Sequence, residues 1–174
     1  TCAELGYPFF LKPPCEGSSV GVHKIKNKDE LHQASKELFK YYPSLLAEQY
    51  LRGAEYSCPI LGNQTLPVVK IESASDFYDY EAKYLRNDTV YRCPAGLSPQ
   101  QEKEARELAL LAFQACGCSR WGRVDLMQDE HGRFHILELN VSPGMTSHSL
   151  APMSAKEAGL SFSELCLSIL SHAK

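Results

Sequence analysis

Two alternating stretches near the C-terminal end, Arg123-Val124-Asp125-Leu126-Met127 and Ile136-Leu137-Glu138-Leu139-Asn140-Val141, constrain this chain more than any other feature. Polar and apolar residues alternate in both, the period of a strand with one wet and one buried face. Between them lies the turn signal Asp129-Glu130-His131-Gly132. With His131-Gly132 as a two-residue turn, facing residue numbers sum to a constant, so Asp125 lies opposite Glu138 and Arg123 opposite Asn140. Val124, Leu126, Leu137 and Leu139 then turn together into a core and hold that register. Two carboxylates directly across a ladder repel each other unless positive charge lies between them. A divalent metal meets that requirement. Only oxygen ligands are on offer, which suits a hard ion such as Mg²⁺, and the adjacent arginine suits a charged oxyanion such as phosphate. The competing reading of the same face is a solvated strand surface.

A chain of 174 residues can bury a core in one domain or in two small lobes. The net charge of −3 leaves no electrostatic footprint for a nucleic-acid backbone, and the aromatic residues do not interleave with Lys and Arg, so nucleic-acid binding is disfavoured. No apolar run approaches membrane-spanning length and no charged-then-apolar leader opens the chain; a cytoplasmic protein without membrane contact is expected. The first five residues lead straight into the strand-like Tyr7-Pro8-Phe9-Phe10-Leu11, which suggests a piece of a longer protein. Seven cysteines follow no disulfide-framework spacing, and Cys58, Cys93 and Cys166 sit in apolar or turn segments, as reduced, semi-buried thiols do. Cys116-Gly117-Cys118 lacks the second Cys/His pair that a zinc site needs.

The segment 27–41 reads as a helix with Leu31, Ala34 and Leu38 on its apolar face and Asn27 and Glu30 placed as a cap. Residues 45–69 are strand-like, with breaks at Arg52-Gly53 and Gly62-Asn63. The clearest helix has Ser98 as N-cap, Pro99 at its first position, Gln101 as capping partner and Gly117 just past its end. Its apolar stripe comprises Ala105, Leu108, Ala109, Ala112, Phe113 and Cys116. An irregular loop spans 142–149, and a last helix is capped by Ser161 and Glu164 with Phe162, Leu165, Cys166, Ile169 and Leu170 facing inward. This order indicates α+β lobes with mainly antiparallel pairing.

Other segments carry chemistry. Phe9-Phe10-Leu11-Lys12-Pro13 looks like a strand that delivers a lysine to its end. The following Glu16-Gly17-Ser18-Ser19-Val20-Gly21 can turn backbone N–H groups toward an anion, and a second strand is expected over 20–25. A flap over phosphates and a plain Gly-Ser hairpin turn both fit. Glu48 within the apolar strand 45–51, and Glu55 after it, could offer carboxylates to ribose, or could be surface charges. Tyr78-Asp79-Tyr80-Glu81-Ala82-Lys83-Tyr84 is either an active-site lid or an Ω-loop.

Together the motifs EGSSVG (16–21), FYDYEAKY (77–84), CPAGL (93–97), GCSRWGRVD (117–125) and LELNVSPGMTSHSL (137–150) run in order along nearly the whole chain. In this the chain resembles the ATP-grasp family, and within it the D-alanine–D-alanine ligases. The resemblance implies two α+β lobes with mainly antiparallel sheets clasping ATP: residues 1–55 as part of the central lobe, with flap, helix and adenine strand, and residues 56–174 as the C-terminal lobe, with lid loop, metal hairpin and second-substrate loop. It implies ATP-dependent phosphorylation of one D-alanine and attack by the amine of a second, giving the dipeptide of peptidoglycan precursors in the bacterial cytoplasm. The full-length protein is expected as a homodimer.

Carried over by position, Lys12 and Lys83 would contact phosphates, Ser18 and Ser19 would lie in the flap, and Glu48, the backbone at Leu51, and Glu55 would hold adenosine. Asp125, Glu138 and Asn140 match the ligands of magnesium, two ions of it, with Mn²⁺ an alternative. Arg123 and the Gly144 amide would stabilise oxyanions, while Ser149 and the Leu150 amide would grip the carboxylate of the second D-alanine. Tyr84 matches the dipeptide enzymes, in which it bonds the flap serine, here Ser18, and so argues against a D-alanine–D-lactate ligase. The family's N-terminal domain and a further lysine are expected upstream of Thr1, so the chain alone is expected not to make dipeptide. A nucleotide-binding fragment without catalysis is the alternative from another class.

Overall fold

Turn residues and caps divide the chain where the alternation breaks. A computed structural model describes residues 2–17, 19–72 and 89–172, with Cys2 and Ala3 described by their backbone only. Among these, the chain falls into two compact units, the first containing the residues up to Leu51 and the second built from Arg52–Glu72 and from Val90 onward.

The first unit opens with a short helix α1 (Cys2–Leu5) and strand β1 (Phe9–Lys12), followed by β2 (His23–Ile25), helix α2 (Lys28–Leu38) and β3 (Leu46–Gln49). Its sheet has the order β2-β1-β3, antiparallel throughout. The strand expected over 20–25 is shorter than its apolar content suggested. The backbone turns first, with the Val20 N–H donating to the Gly17 carbonyl and Val22 to Ser19, and pairing begins only at His23. Helix α2 starts at its expected cap, the Glu30 N–H donating to Asn27 Oδ1 at 2.9 Å, but ends at Leu38 and leaves Phe39 and Tyr41 exposed. Phe9, Leu11, Ile25, Ala34 and Leu38 form the core between sheet and helix.

The second unit contains β4 (Glu55–Leu61), β5 (Gln64–Thr65), β6 (Val69–Glu72), β7 (Val90–Arg92), helix α3 (Pro99–Ala115), β8 (Trp121–Gln128), β9 (Phe134–Asn140), and helices α4 (Leu150–Glu157) and α5 (Phe162–Ser171). The sheet order is β7-β6-β4-β8-β9, with β5 paired to β4. Helix α3 begins with the Ser98/Gln101 capping box and closes at Gly117, whose φ of +73° lets the Cys118 N–H reach the Phe113 carbonyl and the Gly117 N–H that of Gln114. Ala105, Ala109 and Phe113 pack with Tyr56, Cys58, Val124 and Leu126 in one core. Cys116, expected on that stripe, is exposed because it lies in the cap itself. Burial pushes the Cys58 thiol up to about 12, against the nearby Arg106, and the Cys93 thiol up to about 11, so both are protonated and inert at neutral pH. Helix α5 has its Ser161/Glu164 capping box and buries Leu165, with Ile169 packed against the same cluster. Phe162 and Leu170, expected inward, are exposed: the helix is apolar on more sides than its neighbours cover.

The hairpin β8/β9 departs from the expected turn in an informative way. Its tip is the three-residue loop Glu130-His131-Gly132, closed by the Asp129 N–H donating to the Arg133 carbonyl, with Gly132 at φ +78°. Facing numbers near the tip therefore sum one lower than a two-residue turn would give: Gln128 pairs Phe134 and Leu126 pairs Ile136. A bulge between Asp125 and Leu126 then passes over Leu137, and beyond it Asp125 pairs Glu138 and Arg123 pairs Asn140. Leu137, expected in the core, is 37% exposed because it occupies the bulge on an edge strand.

The tip is tied together by Asp129, which accepts from the backbone N–H groups of His131 and Arg133, each at 2.9 Å, and from Arg133 Nε at 2.8 Å, with the His135 ring 3.2 Å away. Burial alone would raise its carboxyl, but these donors outweigh it and hold the group far below the usual carboxylate range. A depressed folded-state value stabilises fully above the unfolded value of about 4 and is lost as pH falls below it. Thermal stability should therefore decline on acidification below about pH 4, and the Asp129→Asn variant should show a flatter decline over the same range in a melting series.

Candidate active site

Strand alternation sorts the second unit's sheet into two faces. Tyr56, Cys58, Val124 and Leu126 belong to the core under α3, so the intervening residues turn the other way. In register these are Ser57 opposite Asp125 on β4 and β8, then Asp125 opposite Glu138 and Arg123 opposite Asn140 on β8 and β9. Without the bulge, Asp125 and Arg123 would have faced Leu137 and Leu139. The inserted residue brings the carboxylate and the amide across from them instead.

Arg123 takes Asp125 with a two-pronged ion pair, Nε to Oδ1 at 2.8 Å and Nη2 to Oδ2 at 2.6 Å. The buried Ser57 Oγ donates to the same Oδ1 at 2.7 Å. Glu138 is exposed, and Asn140 Oδ1 accepts from the Ser142 N–H at 2.9 Å, which turns the chain out of β9 into the loop. Among the described residues no cluster of three or more His, Cys, Asp or Glu gathers for a metal. The ladder instead supplies two carboxylates and one amide oxygen, a donor set whose chemistry fits a hard divalent ion. The one guanidinium beside it offsets part of the repulsion between the carboxylates.

The loop that follows brings Gly144 and Ser149 together. A Cβ at Gly144 would lie 2.9 Å from Ser149 Oγ, so only glycine fits without displacing that hydroxyl. Ser149 Oγ accepts from the Thr146 N–H at 2.9 Å, and the Ser149 N–H returns to the Thr146 carbonyl at 3.0 Å. Ser149 is also the N-cap of α4, which puts the Leu150 amide at the first turn of that helix, where backbone N–H groups lack helical acceptors. In the first unit, Lys12 ends β1 as expected and pairs with Glu48 on β3, Nζ to Oε2 at 2.7 Å. Ser19 holds a φ of +60° in the Gly-Ser turn. Leu51 follows β3, and Glu55 opens β4. Ser18, Lys83, Tyr84 and the rest of the tyrosine-rich loop lie outside the described residues.

Two residues escaped the sequence reading, one on this face and one on the core side of β8. Ser57 is legible once β4 is paired with β8, since it falls two residues after Glu55 in the alternation. Gly122 is the other: a Cβ there would meet Phe113 Cε2 at 2.8 Å and the Asn140 carbonyl at 2.9 Å, so the glycine lets helix, strand and the Asn140 backbone close up.

A family model described as the D-ala D-ala ligase C-terminus matches residues 1–171. The chain belongs to that family. As a D-Ala–D-Ala ligase C-terminal chain it is 53% identical over 167 residues to D-alanine–D-alanine ligase B of Chromobacterium violaceum, covering 96% of this chain and 55% of that protein. It thus spans about half the length of the curated relatives it matches. Among solved structures, it is similar to the VanG D-Ala:D-Ser ligase of Enterococcus faecalis, with a TM-score of 0.86 at 35% identity, over 98% of this chain and 50% of that one. It is also similar to the D-alanine–D-alanine ligase of Bacillus anthracis complexed with ATP, with a TM-score of 0.83 at 29% identity, over 98% of this chain and 53% of that one. These neighbours agree with the α+β architecture and antiparallel sheets of this family member. No helix among the described residues is long and apolar enough to cross a membrane.

Proposed function

We propose that the protein works in the ATP-dependent joining of two D-alanine molecules through a D-alanyl phosphate, which yields D-alanyl-D-alanine, ADP and phosphate in the cytoplasm. The observation that carries this reading is the face on which Arg123 grips Asp125 opposite Glu138 and Asn140, in a chain of this family. On this reading residues 1–55 are part of the central ATP-grasp lobe and residues 56–174 are the C-terminal lobe.

Each group has a task that follows from its chemistry. Asp125, Glu138 and Asn140 would hold Mg²⁺, two ions of it, or Mn²⁺ in its place, and the metal would neutralise charge on the phosphates. Lys12, with Lys83, pairs phosphate oxygens, and Glu48 balances the Lys12 charge until a nucleotide takes its place. Glu48, the Leu51 backbone and Glu55 receive adenosine, while Ser18 and Ser19 lie in the flap and Tyr84 fixes Ser18. The Gly144 amide, and Arg123 once its guanidinium turns from Asp125 to the substrate, would face the oxygens on which negative charge develops. Ser149 and the Leu150 amide take the carboxylate of the second D-alanine, as a helix N-terminus suits an anion.

A chimera tests the reading, with this chain replacing the matching segment of the Chromobacterium violaceum relative. It should form D-alanyl-D-alanine from D-alanine and ATP, and Glu138→Gln in it should weaken Mg-nucleotide binding by about tenfold with an unchanged melting curve. Parallel reactions with D-serine and D-lactate as second substrate identify the acceptor. A folded chimera that does not join D-alanine to D-alanine overturns the proposal.

A further inference from the structure

A hydroxyl on β4 stands where strand chemistry favours an apolar side chain. Ser57 is wholly buried, its register neighbour on β6 is the equally buried Val69, and its neighbour on β8 is Asp125. A β-branched apolar residue would suit such a position better. What serine adds is one donor, and that donor goes to Asp125 Oδ1 at 2.7 Å.

Arg123 already donates to both oxygens of the same carboxylate, so Ser57 is the third donor on a group that one guanidinium neutralises. The two holds differ in permanence. The arginine side chain is long and ends in a fork suited equally to carboxylate and to phosphate oxygens, so an anion arriving on this face competes for it. The serine side chain is short, sits on the central strand β4, and is enclosed on all sides. When the guanidinium turns to an anion, Asp125 loses both prongs of its ion pair at the moment a cation needs its oxygens.

We infer that Ser57 is a positioning residue: its hydroxyl keeps the Asp125 carboxylate aimed for a divalent cation after Arg123 has released it. The inference rests on the assignment of Asp125 as a ligand in the proposed function and adds to it a group that touches neither substrate nor metal. Because Ser57 reaches the cation only through Asp125, its removal weakens the cation and leaves the bare nucleotide alone.

The experiment follows the free Mn²⁺ signal by electron paramagnetic resonance as the folded chimera is titrated with Mn²⁺ and a non-hydrolysable ATP analogue. Nucleotide binding without metal and thermal melting are measured beside it. Ser57→Ala should weaken Mn²⁺ binding about tenfold and leave metal-free nucleotide binding as it was, while Ser57→Thr, which keeps the hydroxyl, should stay within about threefold of the parent. Ser57→Cys, similar in volume and a weak donor, should follow Ser57→Ala, and it carries the test if the alanine variant melts early. Asp125→Asn separates the two claims. If it loses Mn²⁺ while Ser57→Ala and Ser57→Cys bind as the parent does, the role of Ser57 is wrong and the metal assignment stands. If Asp125→Asn binds like the parent, or the parent holds no Mn²⁺, the assignment of the face fails and the role of Ser57 with it. An equal loss in Ser57→Thr with an unaltered melting curve also overturns the role.

Discussion

Asp125→Asn in the chimeric ligase should lower the rate of dipeptide formation by about a thousandfold, the scale seen when a fixed electrostatic partner is removed from a transferring group. The substitution removes one charge from a group that is 6% exposed and engaged by three donors at once. It leaves the Arg123 guanidinium facing an amide that cannot accept both its prongs, and, on the proposed function, it would withdraw a ligand from the cation. Both effects act on the transferring phosphoryl group, so kcat falls and the affinity for D-alanine changes little. A steady-state assay of phosphate release with saturating D-alanine reads the loss. A rate within threefold of the parent would mean that the Arg123 and Asp125 pair serves the sheet and not the reaction.

The second large effect is on stability. Phe113→Ala should cost about 4 kcal/mol, measured as a shift in the midpoint of urea unfolding at constant slope. Phe113 is wholly buried in the core between α3 and the sheet, and its ring lies against Gly122, where it takes part of the space a side chain would fill. Removing it empties a volume that the surrounding strands, held by ladders on both sides, cannot close. Phe113→Leu, which keeps most of the volume, should cost about 1 kcal/mol. Against the roughly 5–15 kcal/mol typical of a domain, the alanine change removes a large share of the total stability. A loss below about 1 kcal/mol would show that this core is loosely packed.

Alternation and capping chemistry carried most of the architecture. The boundaries of α3 and the start of α5 follow from Ser98/Gln101, Gly117 and Ser161/Glu164, because a cap is a local hydrogen-bonding arrangement that neighbouring elements do not alter. The inward face of α5 was misjudged at Phe162 and Leu170, since periodicity marks an apolar stripe without saying how wide a strip the rest of the fold covers. The pairing of Asp125 with Glu138 was legible through two departures that cancel. The tip holds one residue more than a two-residue turn, and the bulge restores the count before the polar pairs are reached. Ser57 went unnoticed because its importance depends on which strand β4 pairs with, a long-range fact that residue spacing along one strand does not contain.

Leu137 is, in the arithmetic of the ladder, a residue too many. Ile136 pairs Leu126 and Glu138 pairs Asp125, neighbours on β8, so a strand from which Leu137 had been deleted could keep every one of these partners. The bulge is thus separable from the pairing: a deletion would preserve which residues meet and change only the local bend and twist with which Glu138 and Asn140 are presented. A history in which this position was gained as a single-codon insertion, after the hairpin existed, would require no other pair to move. Comparing the deleted and intact chains would therefore separate two things that substitutions always alter together, the identity of the groups on this face and the angle at which they are held.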